Sequence, residues 1–107
     1  MIDSVKIGYR RYAVHEVDAS ELADNGRKGE IVFRTGEIRI ADNLPQDNAA
    51  EVVVHEILHG LFHDIGFDWS AEDEERMVER LSPRLAALFV DNPQEVAEIV
   101  RMLQADE

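Results

Sequence analysis

The chain has 107 residues, a net charge of -12 and no cysteine. That is room for one domain with one modest core, and it excludes a disulfide scaffold, a thiolate-held zinc finger and a thiol nucleophile. The acidic balance argues against nucleic acid and anionic membranes as partners, and a hydrophobic fraction of 45 % excludes a disordered chain.

The N-terminus, "MIDSVKIGYRRYAVHEV", alternates apolar with charged residues and lacks the apolar run of a signal peptide. No apolar run is long enough to cross a bilayer, so the expectation is a cytoplasmic protein with residues 1-107 in a single domain. Residues 1-41 read as β-rich. "SVKIGYRRYAVHEV" predicts one long or bulged strand, or two short ones around Gly8. "DASELADNGRKG" predicts a short helical turn and then a loop. "EIVFRTGEIRIA" predicts two strands joined at Thr35-Gly36, in which Ile31 and Phe33, then Ile38 and Ile40, alternate with polar neighbours.

Residues 47-105 predict three helices. Asn48 with Glu51 has the spacing of a capping box, and Gly66 is a stop. Ser70 with Asp73 opens a second helix that runs towards Val90. Pro83 lies inside it, where a missing N–H predicts a kink or a break. "NPQE", residues 92-95, opens the third. There Val96, Ile99, Val100 and Leu103 form one apolar stripe, which predicts a helix packed against its neighbours.

The chemistry concentrates in "VVVHEILHGLFHDIG", residues 52-66, which contains an H-E-x-x-H motif from His55 to His59. Positions four apart on a helix lie about 40° apart and one turn displaced, so two imidazoles can approach one metal from one side. Glu56 flanks that face, where it can take a proton from water held by the metal. A zinc ion with three protein ligands leaves a position for that water. With His55 at zero, Ile57, Leu61, Val54, Ile65, Leu58 and Phe62 form an arc centred near about 270°, which predicts the core-facing stripe. The histidines stand beside it. His63 shares their face but lies about 12 Å from His55 along the axis, too far to join them on one ion. Zinc peptidases with a third histidine place it six residues after the second, where this chain has Ile65.

The third ligand must come from elsewhere. "SAEDEERMVERL" offers Glu72, Asp73, Glu74, Glu75 and Glu79, beside an apolar stripe of Met77, Val78, Leu81, Leu85 and Leu88. Packed antiparallel to the first helix, this helix would set Glu75 opposite the histidine pair. Asp73 and Glu74 read as a solvated face.

H-E-x-x-H followed by a downstream helix with Glu75 and, four on, Glu79 resembles the gluzincin pattern. Most of the chain is similar to the small phage- and prophage-encoded metallopeptidases of minigluzincin type, most closely in "VVVHEILHGLF", "VERLSPRLAALFVDNPQ" and "GEIRIADNL". The resemblance implies an α+β, minimal zincin-like fold: a small N-terminal β-sheet packed on two antiparallel helices, plus a C-terminal helix. It implies zinc on His55, His59 and Glu75, with Glu56 as general base and Glu79 orienting an imidazole through its other nitrogen. It implies a peptide or protein substrate, with the strand "EIRIA" bordering the cleft and able to pair with an extended peptide. For the oxyanion, Tyr9, Tyr12, His15 and Arg39 stay open as candidates.

Two other readings compete. The zinc could be a staple between helices in a domain that acts by binding a protein partner. Alternatively, the chain is a metal-free acidic interaction protein, for example one that imitates nucleic acid.

Overall fold

Of the two readings of "SVKIGYRRYAVHEV", the chain takes the second. In the computed structural model, which describes residues 2-23 and 26-105, β1 (Ser4–Ile7) turns at Gly8-Tyr9 into β2 (Arg10–Val17), with Ile7 opposite Arg10. A 3-10 turn (Ala19–Glu21) follows, capped by Asp18 and Glu21. The predicted hairpin is β3 (Gly29–Val32) and β4 (Glu37–Ala41), joined through residues 33-36. β4 inserts beside β2 in parallel, so the sheet order is β1-β2-β4-β3.

Three helices then follow: α1 (Gln46–Ile65), α2 (Ala71–Asp91) and α3 (Pro93–Gln104). The protein is α+β, strands first and helices after. The start of α1 departs from expectation. Pro45, not Asn48, is its cap residue, and no side chain caps it. Pro45 is compatible with the extended conformation before a helix, which lets the first turn begin ahead of the Asn48 signal. Gly66 stops α1 as expected, in the left-handed region (φ 73°) where a side chain would be strained. Ser70 caps α2, its hydroxyl accepting from the Asp73 N–H at 3.0 Å. The loop between α1 and α2 is held by Trp69, whose ring packs 4.9 Å from Phe62 and 5.0 Å from Phe67, centroid to centroid.

α2 is continuous through Pro83. The proline removes the donor that Glu79's carbonyl would use, and one residue on the Arg84 guanidinium donates to the Arg80 carbonyl at 2.6 Å.

The core lies between the sheet and α1: Ile7, Tyr12, Val14, Ile38 and Ile40 from the strands meet Val53. α1 is therefore the layer on the sheet, and α2 packs on α1. The sheet faces α1 in place of resting on two helices. Gly60 lets the helix lie close. A Cβ there would stand 2.7 Å from the Ile7 Cδ1 and 3.3 Å from the Ile31 Cδ1. Gly60→Val is expected to cost about 2 kcal/mol by overpacking, read as a fall of roughly 10 °C in Tm. An unchanged Tm would show that the sheet and helix can separate freely at this point.

α3 also departs from expectation. None of its residues is buried, and its stripe residues Ile99, Val100 and Leu103 are exposed. No described helix is long and apolar enough to cross a membrane.

Candidate metal centre

The side of α1 that meets the sheet overlaps only one edge of the arc of large apolar residues: Ile57 packs on the sheet core and Leu58 is buried. Val53 joins the sheet core and Gly60 touches Ile7 and Ile31, while Leu61 and Ile65 of the arc are exposed. The small side chains of Ala49, Val53 and Gly60 allow close approach to the sheet, so this side docks. Rotating the helix in this way buries Glu56, which lies between the docked side and the histidines, at 6 % exposure. His55 and His59 come to face the groove between β3 and α2. That groove is an open cleft of about 660 Å³, lined by Gly29 and Ile31 of β3, Arg27 and Lys28 before it, and Glu75 and Glu79 of α2.

Three ligand atoms, one each from His55, His59 and Glu75, lie within 4.8 Å of one another. The two imidazole rings stand 5.0 Å apart and are inclined at 62°. Glu75 spans them. Its Oε1 is 2.9 Å from His55 Nε2 and its Oε2 is 3.1 Å from His59 Nε2. Tetrahedral zinc bound at ~2.0–2.1 Å keeps its ligand atoms about 3.3 Å apart, so this donor set and spacing fit zinc. The two carboxylate–imidazole distances are also those of hydrogen bonds, and a proton on an imidazole holds the same place that a metal would take.

The Nδ1 of His59 is held by Glu74 Oε2 at 2.6 Å. The carboxylate on Nδ1 is thus Glu74, for which the sequence predicts a solvated face. Glu79, expected in this role, lines the cleft and acts on His55 through its charge. The register of α1 against α2 decides this: Glu74 and Glu75 are adjacent, and the two carboxylates grip opposite nitrogens of one ring. Sequence alone held a faint signal, since Glu74 lies four residues from buried Val78. His63 leaves the group and stacks on Phe33, with centroids 3.9 Å apart.

Burial governs the electrostatics. It pushes the Glu56 carboxyl up to about 7, with the charges of Glu75 and Glu30 adding to the shift and those of His59 and Arg27 opposing it. Burial lowers His55 in spite of Glu75, which favours the neutral imidazole that offers a lone pair to a metal.

The expected cleft strand is corrected. "EIRIA" is β4, interior between β2 and β3, and β3 is the edge strand beside the cleft. The candidates for meeting an oxyanion also fall elsewhere. Tyr9 is exposed on the β1–β2 turn and Tyr12 is buried in the core. His15 lies 3.5 Å from Glu37, and Arg39 pairs with Glu30 at 3.1 Å. The cations on the cleft wall are Arg27 and Lys28. Their signal in the sequence was a basic pair between two glycines of an acidic chain. A second hollow of about 560 Å³, beside Ala41, Leu44 and Ala49, carries no imidazole.

Comparison with protein-family models, with curated proteins and with solved structures returns no match.

Proposed function

We propose that the protein is a zinc-dependent peptidase of the minimal gluzincin type. The observation that carries the reading is the convergence of His55, His59 and Glu75 from two helices, with the buried carboxyl of Glu56 on the adjoining turn. His55, His59 and Glu75 would hold the zinc, and the metal would supply a Lewis acid that activates water and polarises a peptide carbonyl. Glu56, buried beside the histidine pair, would take a proton from the attacking water and return it to the leaving amine. Glu74 fixes the ring of His59 through Nδ1 and sets which nitrogen faces the cleft. β3, as the sheet edge along the cleft, would pair with an extended substrate, and Arg27 and Lys28 are placed to meet negative charge developing on the carbonyl oxygen.

The test is metal content by inductively coupled plasma mass spectrometry on tag-free protein purified without added metal. About one zinc per chain is expected in the parent, as a three-ligand site requires, with sharp loss in His59→Ala and Glu75→Ala. Glu74→Gln is expected to weaken zinc binding by about 10- to 100-fold, because it loosens a ligand without removing one. Zinc retained in Glu75→Ala would transfer the third position to another carboxylate of α2. A parent that takes no zinc even when it is offered would overturn the reading and leave an acidic binding protein.

A further inference from the structure

The last two helices carry an apolar surface that the domain does not cover. Ser82 of α2 shares a small cavity with Asn48 and Glu51, in the first turns of α1. Most of the stretch from Pro83 to Asp91, about two and a half turns, therefore runs on past the start of α1. α3 then follows α2 directly after Asn92, with no buried residue and little contact with α2 beyond the junction. Leu81, Leu88 and Phe89 on α2, with Ile99, Val100 and Leu103 on α3, are all exposed, Leu103 by 74 %. The overhang shows in the dimensions. The Cα radius of gyration is 14.6 Å, against about 13 Å for an evenly packed domain of this length.

We propose that this face pairs with the same face of a second copy of the chain. Area and charge both point to that occupant. The six side chains expose on the order of 600 Å², and with their neighbours approach the ~800 Å² that one partner contributes to a standard interface. Between Leu81 and Gln104 two arginines stand against three acidic residues, so this segment carries a net charge of -1 and the other -11 falls on the rest of the chain. Two copies meeting elsewhere would bring many like charges together, whereas here they meet with little of that penalty. A basic partner would be drawn to the acidic remainder. A two-fold axis would set the apolar residues of α2 and α3 in one copy against the same residues of the other, burying both faces. Leu88, near the middle of the face, lies about 20 Å along α2 from Glu75, and Leu81 at its near end about 9 Å.

Sedimentation equilibrium of the full chain tests the pairing. Up to about 0.2 mM protein the mass is expected to approach twice the 12.2 kDa of one chain, and to hold or rise when salt is raised, since screening relieves repulsion between the acidic parts. The double variant Ile99→Glu, Leu103→Glu is expected to sediment as a monomer with unchanged circular dichroism, because neither residue is buried in the fold. Phe67→Glu, at an exposed apolar residue outside the face, is expected to stay dimeric. A monomeric parent throughout the range would overturn the proposal and assign the face to a different protein. So would a dimer that survives the double variant or dissociates as salt rises.

Discussion

Glu56→Gln is expected to lower peptide hydrolysis by about 10²- to 10⁴-fold while the protein still binds one zinc. Glutamine keeps the shape of the side chain and its hydrogen-bonding capacity, but it cannot accept a proton at any working pH. In the proposed site His55, His59 and Glu75 would supply the ligand atoms, so metal content need not change. That pattern separates three states of the protein. A peptidase loses turnover and keeps zinc. A zinc-stapled binding domain keeps zinc and has no turnover to lose. A protein that never binds zinc has neither. Turnover on a mixed peptide library, read by mass spectrometry beside zinc content, checks all three. Activity that persists in Glu56→Gln would move the proton transfer to another group.

The same substitution is expected to stabilise the metal-free protein at alkaline pH. Glu56 has an ordinary value of 4.5 and is raised by burial to about 7 in the fold. Between those two values the folded state holds a proton that the unfolded chain releases, so this group makes stability fall as pH rises from about 4.5 to about 7, and the loss is complete above that. The full effect is about 3 kcal/mol by linkage. His55 contributes with the opposite sign. Its value is lowered in the fold, so the unfolded chain binds the extra proton and stability rises with pH up to the ordinary imidazole value. The informative quantity is therefore the difference between parent and variant. After chelator treatment, Glu56→Gln should unfold with the parent near pH 4 and withstand more urea than the parent at pH 8. Parallel profiles at the two pH values would show that Glu56 keeps its charge without cost in the fold.

The candidate site was legible in part because some of it is local. His55 and His59 share a face by helical geometry alone, so any helix over these residues presents both imidazoles together. Glu75 was reachable by a second argument of the same kind, since a helix with a core stripe must turn a definite flank towards its neighbour. The carboxylate at His59 Nδ1 was not reachable. Glu74 and Glu79 differ only in how α1 and α2 are set against each other, and no local pattern encodes that register. Arg27 and Lys28 were missed for a related reason. They sit in a loop, and their place on the cleft wall depends on where β3 docks.

The strands show the same division. The alternation of Ile38 and Ile40 with Glu37 and Arg39 determined which residues of β4 face inwards, because a strand's side chains alternate whatever its neighbours are. That β4 slips between β2 and β3, leaving β3 at the edge, is a matter of long-range pairing. The apolar pattern of "VVVHEILHGLF" was likewise a sound reason to predict a helix and a misleading guide to its orientation. The docked side combines Val53 and Ile57 with Ala49 and Gly60, and the small residues, which weigh least in a hydrophobic pattern, permit the closest approach. By itself, then, the sequence determined the helices and their stops, the inward faces of the strands and the histidine pair, all properties of short-range geometry. Tertiary structure decided the burial of Glu56, the partner of His59 and the strand at the cleft, because each depends on how separate elements meet.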